Sequence, residues 1–134
     1  MYSNKILELF KNPANAGGLQ GSNGTGKYID EACGDQVKIY LKINEKEEID
    51  EARFKTMGAV GTIVASSALC QAIIGMTIQE AKSITKEQII VITGKFPEDK
   101  EYTIGFVLNA LNLAIENYYE KLEKESKPSP CRVP

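Results

Sequence analysis

The chain of 134 residues is long enough to form one domain around a single hydrophobic core, and its 43% hydrophobic and 25% charged residues are typical of a globular protein. A formal net charge of −2 gives no basic footprint for nucleic acid, and no apolar run approaches the ~20 residues that a membrane-spanning helix needs. Histidine is absent, which excludes Ser-His-Asp and Cys-His catalysis, so we predict that the protein is not an enzyme.

Two features of the sequence bear on the cellular compartment. The chain begins with the polar residues Met1-Tyr2-Ser3-Asn4-Lys5, which are not typical of a cleaved secretion signal. It has three cysteines, which are too few and too scattered for a disulfide framework. We therefore expect a protein of the reducing cytoplasm.

The N-terminal half alternates between coil and extended segments. Apolar residues at helical spacing predict a short helix over residues 4–10, and Asn12-Pro13 ends it. Residues 15–26 predict a glycine-rich loop. Alternation of apolar and polar residues is clearest over residues 35–44, and we predict an antiparallel sheet with strands over residues 27–31, 35–44 and 49–57.

The C-terminal half is predicted to be helical. One helix begins near Thr62 with Gly75 as its C-cap, and a second opens with a capping box from Thr77 to Glu80. Further helices are predicted over residues 85–92 and 103–124. These elements predict an α+β fold, in which a small three-stranded antiparallel sheet packs against several helices and a long C-terminal helix. We expect one domain over residues 1–125 and a disordered tail over residues 126–134.

The glycine-rich loop contains a match to the phosphate-binding spacing G-x-x-x-x-G-K, from Gly21 to Lys27. Tyr28 stands where a phosphate loop needs Ser or Thr to reach magnesium, and the segment precedes an extended segment rather than a helix. We therefore interpret the segment as a glycine loop and not as a nucleotide site.

Four short segments, which follow one another in the expected order, carry a resemblance to a known family. They are Ala32-Cys33-Gly34-Asp35, Arg53-Phe54-Lys55-Thr56-Met57-Gly58-Ala59, Ile63-Val64-Ala65-Ser66-Ser67 and Gly75-Met76-Thr77-Ile78-Gln79-Glu80-Ala81. Together they resemble the signature of the NifU/IscU-type iron–sulfur cluster scaffolds. The resemblance implies the NifU N-terminal/IscU-like fold. It also implies that Cys33 binds iron and accepts sulfur from a cysteine desulfurase, and that Asp35 tunes how easily the cluster leaves.

The sequence departs from this family at two ligand positions. Ala59 stands where the family has a second cluster-ligating cysteine, and Tyr102-Thr103 stand where it has a His-Cys pair. The implied metal and cofactor ligands are therefore reduced to Cys33 and Asp35. One thiolate and one carboxylate are a poor set for iron or zinc. We expect iron or an iron–sulfur cluster to be bound labilely and shared between chains, with zinc and an empty site as alternatives.

The surroundings of the cysteines can also be predicted. In the family fold, the helix ends near Thr62 and Thr103 converge on Cys33, and their dipoles would favour its thiolate. The alternative is that Cys33 is a buried structural cysteine. We interpret Cys70 as a small core residue. Cys131 lies in a tail that is too short to reach Cys33 within one chain, so a contact across a homodimer stays open.

Residues 96–100, Phe96-Pro97-Glu98-Asp99-Lys100, take the place of the family's chaperone-recognition loop. Pro97 and Lys100 match that loop, but the acidic residues between them argue against docking of the chaperone.

Two hypotheses of function follow from the resemblance. The first is a divergent scaffold-like protein of iron–sulfur cluster assembly, which binds iron, a cluster or persulfide sulfur through Cys33. The second is a non-cluster interaction or regulatory module that keeps the fold and docks on the assembly machinery, for example on the cysteine desulfurase.

Overall fold

The computed structural model describes residues 2–126 of the chain, and it describes the side chains as far as Lys124. Residues 127–134 lie outside the described residues, and so do Cys131 and the predicted tail beyond Ser126. Within the described residues no helix is both long and apolar enough to cross a membrane.

The described chain forms three strands and five α-helices. The strands are β1 (Gly24–Ile29), β2 (Gln36–Ile43) and β3 (Ile49–Met57). The helices are α1 (Asn4–Lys11), α2 (Val60–Ile73), α3 (Ile78–Lys82), α4 (Lys86–Thr93) and α5 (Tyr102–Ser126), and one 3₁₀ turn, Glu98–Lys100, precedes α5. The predicted α+β fold with a long C-terminal helix is confirmed.

The sheet is antiparallel in the order β1-β2-β3. Its inner face consists of alternate residues, and the four from β2 are Val37, Ile39, Leu41 and Ile43, which are at most 5% exposed. The helices α2 and α5 pack on this face and complete the core. Most side chains of the outer face are polar or charged, as expected for an antiparallel sheet with helices on one side only.

Strand β1 begins earlier than the predicted residue 27, inside the predicted glycine loop. Gly24 and Gly26 lie on the inner face of β1, opposite the buried Leu41 and Ile39. A Cβ on Gly24 would lie 2.8 Å from the carbonyl oxygen of Ala114 in α5, and a Cβ on Gly26 would meet the same backbone. These two glycines therefore allow close packing of a strand against a helix, and the second half of the phosphate-loop spacing, residues 24–27, lies in β1.

The segment before β1 crosses the outer face of the sheet. It starts at the free edge of β3, where Phe54 donates to the carbonyl of Asn15 at 3.0 Å. A Cβ on Gly18 would lie 3.4 Å from the Lys55 side chain and 4.0 Å from that of Tyr40, both of which project from the outer face. At the other end, the amide of Asn23 donates to the carbonyl of Leu41 at 3.0 Å. Hydrogen bonds thus fix both ends of the segment to the sheet.

The predicted helices are present with small shifts of boundary, but the C-cap of α2 is Ile74 and not the predicted Gly75. Helix α2 begins at Val60 rather than near Thr62, and most of its residues are buried. Cys70 on α2 is fully buried, which raises the pKa of its thiol to about 12 and confirms its predicted place in the core. Capping boxes open α3 at Thr77 and α4 at Thr85, the first of which was predicted.

Candidate functional site

Four parts of the chain meet at one end of the sheet: the β1–β2 hairpin loop, the end of β3 and the first turns of α2 and α5. The hairpin loop, residues 30–35, carries Cys33. The Asp30 amide donates to the Asp35 carbonyl at 2.9 Å, and the Gly34 amide donates to the Asp30 carbonyl at 2.7 Å. Gly34 has φ +81°, which glycine adopts without steric cost. The loop is therefore a closed turn with a defined tip.

Cys33 lies exposed at this tip. Its Sγ donates a hydrogen bond to Oδ2 of Asp30 at 3.0 Å, and its main-chain amide donates to the same oxygen at 3.1 Å. The exposure of the sulfur excludes the alternative of a buried structural cysteine. A soluble reagent or a partner protein can therefore reach the thiol directly.

The pKa of the Cys33 thiol is raised above its ordinary value. The main cause is the Asp30 carboxylate, which accepts the hydrogen bond of the thiol and so favours its protonated form, while the main-chain amide of Asp35 acts in the opposite direction. The prediction that helix ends favour the thiolate is therefore wrong in direction. The neighbours of the sulfur are a carboxylate and the loop backbone, and the carboxylate has the larger effect.

Asp35 lies behind the loop, and it is 8% exposed. Its Oδ2 accepts a hydrogen bond from the Thr62 hydroxyl at 2.9 Å. A Cβ on Gly58 would lie 2.6 Å from Cγ of Asp35, so a glycine at the end of β3 is what leaves room for the carboxylate. The negative charge stands against the first turn of α2, where a helix stabilises anions. Asp35 thus ties the hairpin to the start of α2.

The first turns of α2 and α5 meet each other. A Cβ on Gly61 would lie 2.8 Å from Oγ1 of Thr103, and the Gly61 amide donates to the hydroxyl of Tyr2 at 3.3 Å. Thr103 is fully buried and its hydroxyl donates to the carbonyl of Lys100 at 2.8 Å. Thr103 therefore has a structural role at the start of α5, and its hydroxyl is turned away from solvent.

The remaining ligand positions of the resembled family supply no metal ligand. Ala59 is the N-cap of α2 and makes no side-chain capping bond. The Tyr102 ring packs edge-on against Phe106, with 5.3 Å between ring centroids. No group of three or more Cys, Asp or Glu side chains placed to hold a metal ion occurs within residues 2–124. Among the residues that the structure describes, this end of the sheet has one thiol, that of Cys33, and the carboxylates of Asp30 and Asp35.

Asp30 is a site residue that was not predicted from the sequence. Its signal is the spacing Asp-x-x-Cys within a short loop, because an aspartate side chain at the start of a turn commonly accepts hydrogen bonds from residues two or three positions on. The motif Ala32-Cys33-Gly34-Asp35 drew attention to Asp35 instead. In the structure the carboxylate of Asp30 bonds the thiol, and that of Asp35 bonds Thr62.

Comparison with known proteins assigns the chain to a family. The family described as "NifU-like N terminal domain" matches residues 1–125, and the chain belongs to it. It is 36% identical over 134 residues to the iron–sulfur cluster assembly scaffold protein IscU of Aquifex aeolicus, covering 97% of this chain and 85% of that protein. It is 33% identical over 127 residues to IscU 1 of Archaeoglobus fulgidus, covering 95% of this chain and 82% of that protein.

Solved structures share the fold. A nitrogen-fixing NifU-like protein (N-terminal) from Brucella abortus superposes with a TM-score of 0.67 at 18% identity, covering 89% of this chain and 94% of that chain. A candidate iron–sulfur cluster assembly scaffold protein for the SUF system from Fervidobacterium islandicum gives a TM-score of 0.69 at 19% identity, covering 85% and 96%. At these identities the likeness concerns the fold alone.

Proposed function

We propose that the protein is a scaffold-like component of iron–sulfur cluster assembly, and that it takes up sulfur or iron as cargo on Cys33. The observation that carries the proposal is the exposed thiol at the tip of a hairpin loop, held by Asp30, in a chain of the NifU-like family. The relatives named as IscU scaffolds support the same class of function.

Sulfur uptake needs only the thiol and its neighbour. The Cys33 sulfur loses its proton to the Asp30 carboxylate or to water, and the thiolate attacks the terminal sulfur of a persulfide on a cysteine desulfurase. The sulfur–sulfur bond of the donor breaks, the donor leaves as a thiolate, and Cys33 becomes the persulfide. The raised pKa slows the reaction of free Cys33 at neutral pH, so the transfer depends on close docking of the donor.

Iron uptake needs further ligands. Cys33 supplies a thiolate, and Asp30 and Asp35 supply carboxylate oxygens, but the Asp35 oxygen must leave the Thr62 hydroxyl to bind a metal. The described residues include no group of three Cys, Asp or Glu side chains placed to hold a metal ion, and one thiolate with carboxylates is less suited to iron or zinc than a set of cysteines. We therefore propose that a bound iron ion or cluster is labile and that a second copy of the chain or a partner protein completes its coordination. Zinc is the alternative metal.

A partner of this kind needs a surface around the thiol. Exposed apolar residues border the loop at the end of each neighbouring element: Ile29 is 47% exposed, Met57 is 67% exposed and Tyr102 is 46% exposed. Exposed apolar residues grouped around a reactive group are typical of a protein interface. We propose that this rim receives the cysteine desulfurase or a second chain of a homodimer, in the reducing cytoplasm. The acidic turn Glu98–Lys100 argues against a chaperone as the partner.

A second candidate function is a non-cluster module that keeps the scaffold fold and occupies the docking surface on the assembly machinery. This function is favoured by Thr103, which is buried, and by Ala59, whose side chain cannot bind a metal. Both residues stand at ligand positions of the family and neither supplies a ligand. In this case Cys33 is dispensable.

Anaerobic reconstitution separates the two candidates. The full chain is incubated with ferrous iron, cysteine and a cysteine desulfurase, and its visible absorption, iron and acid-labile sulfide are measured. The scaffold proposal expects sulfur-to-iron charge-transfer bands and retained iron that Cys33→Ala abolishes, whereas the control Cys131→Ser retains them. A stable complex with the desulfurase that neither Cys33→Ala nor iron affects would support the non-cluster module instead.

A further inference from the structure

The outer face of the sheet concentrates positive charge. Its side chains, read from the strand register, are Thr25, Lys27, Ile29, Gln36, Lys38, Tyr40, Lys42, Glu51, Arg53, Lys55 and Met57. They include five of the 16 basic residues of the chain and one of its 18 acidic residues. A chain of net charge −2 thus carries a basic face on an otherwise acidic surface.

Three of these lysines form one rung across the sheet, which we call the lysine rung. Lys27 is directly opposite Lys38, and Lys38 is directly opposite Lys55. Like charges in directly opposite positions of an antiparallel sheet destabilise it. Neighbouring strands lie about 4.8 Å apart, so the three ammonium groups start from backbone positions that span only about 10 Å.

The described residues provide little compensation for this repulsion. No ion pair joins any lysine of the rung to a described acidic residue. The one interaction that favours a charge there is between the Lys38 ammonium and the ring of Tyr40, at 5.1 Å from the ring centroid. The rung is therefore a cluster of cations that an external anion would stabilise.

The lysine rung lines a shallow cavity of ≈ 350 Å³. Lys27, Lys38 and Lys55 line it together with Gln36, Tyr40, Thr56 and Met57. Gly18, in the segment that crosses the outer face, approaches the Lys55 and Tyr40 side chains at the margin of this cavity. The cavity thus combines cations with a ring and a thioether, a mixture that suits a polypeptide better than a simple ion.

We propose that the lysine rung is a docking surface for an acidic segment of a partner protein. Charge complementarity favours this partner, because carboxylates on such a segment remove the repulsion between the lysines and are attracted to them from a distance. The site lies on the outer face of the sheet, and its cavity shares Met57 with the rim around Cys33.

Two other anionic ligands fit the observations less well. Nucleic acid would have to approach a chain that has 11 basic and 17 acidic residues outside this face, an excess of negative charge that repels a long polyanion. A small phosphate compound is best held by fixed main-chain amides, and those of β2 are used in the sheet on both sides. The lysines themselves are flexible point charges, which suit a carboxylate-rich surface.

The test uses the full chain and a fluorescein-labelled glutamate peptide of about eight residues, with binding followed by anisotropy at low and moderate salt. The variant Lys27→Gln/Lys38→Gln/Lys55→Gln removes the rung. The matched control Lys5→Gln/Lys95→Gln/Lys121→Gln makes the same change in net charge at other exposed lysines. We expect the rung variant to lose at least about tenfold in affinity and the control to change less than about twofold.

Stability supplies an independent readout. The rung variant should melt at the same temperature as the unsubstituted chain or higher, because like-charge repulsion across the strands is removed. An equal loss of peptide binding in both variants would overturn the proposal, since only net charge would then matter. Rung-dependent binding of a single-stranded oligonucleotide or of pyrophosphate that exceeds binding of the peptide would overturn it too. A lower melting temperature of the rung variant would contradict the repulsion argument.

Discussion

Cys33 and Asp30 form a hydrogen-bonded pair: the thiol Sγ and the carboxylate Oδ2 lie 3.0 Å apart, and the same oxygen accepts the Cys33 amide. The carboxylate therefore does two things at once. It fixes the backbone of the loop, and it holds the proton on an exposed sulfur. The reactivity of the Cys33 thiol therefore depends on the Asp30 carboxylate.

Removing the Asp30 carboxylate should lower the pKa of Cys33, because the group that favours the protonated thiol is lost. Alkylation by iodoacetamide is measured as a function of pH in the Cys131→Ser background. The pH at which the rate increases should be lower in Asp30→Ala than in the parent. Glu31→Ala is the matched control, and its profile should stay with the parent. A profile of Asp30→Ala that stays with the parent or moves to higher pH would contradict the assignment.

The two described cysteines should differ in reactivity in the folded protein. Cys33 is exposed and Cys70 is fully buried with a pKa of about 12. In Cys131→Ser, a thiol reagent such as dithionitrobenzoate should therefore label one sulfur in native buffer and two in urea, even at mildly alkaline pH. Peptide mapping should find the native label on Cys33. Rapid native labelling of Cys70 would show that α2 is not packed as described.

The bond between Asp35 and Thr62 should stabilise the protein. Thr62 is fully buried, so Asp35→Ala leaves its hydroxyl without the acceptor seen at 2.9 Å. We expect Asp35→Ala to lower the free energy of unfolding by about 1–3 kcal/mol. In a double-mutant cycle with Thr62→Val, the coupling energy should be about 0.5–3 kcal/mol, measured by urea denaturation. A coupling energy of zero would mean that the two side chains act independently.

Two glycines should respond to alanine in opposite ways. Gly26 lies against the backbone of α5 at Ala110 and Ala114, so Gly26→Ala should destabilise the protein by about 1–3 kcal/mol or more. Gly105 is exposed within α5 and has open space around it, so Gly105→Ala should stabilise the protein by about 0.5–1 kcal/mol. Urea denaturation of both variants checks this. Equal effects would contradict the close contact between β1 and α5.

The sequence was informative where local pattern and burial agree. Alternation in β2 places Val37 and Ile39 on the buried face, and the capping box at Thr77 marks the start of α3. The start of β1 was not predicted because glycine is generally depleted in strands. Gly24 and Gly26 occur there because the backbone of α5, which is distant in sequence, leaves no room for a Cβ. Contacts of that kind are not visible in local composition.

The candidate site was predictable only in part. The motif located Cys33, but two prominent aspartates flank it and local spacing did not decide which one bonds the thiol. The helix ends near Thr62 and Thr103 do come together, yet they meet each other and Asp35 rather than the sulfur. The direction of the pKa shift depends on these side-chain choices, which is why it was predicted wrongly.

Uptake of cargo by Cys33 can be tested by measuring sulfur transfer to this residue. The intact mass of the Cys131→Ser protein is measured after anaerobic incubation with cysteine and a cysteine desulfurase. We predict one added sulfur atom, mapped to Cys33 and removed by a thiol reductant, and none in Cys33→Ala/Cys131→Ser. An unchanged mass of Cys131→Ser, under conditions in which the desulfurase itself carries a persulfide, would contradict the claim.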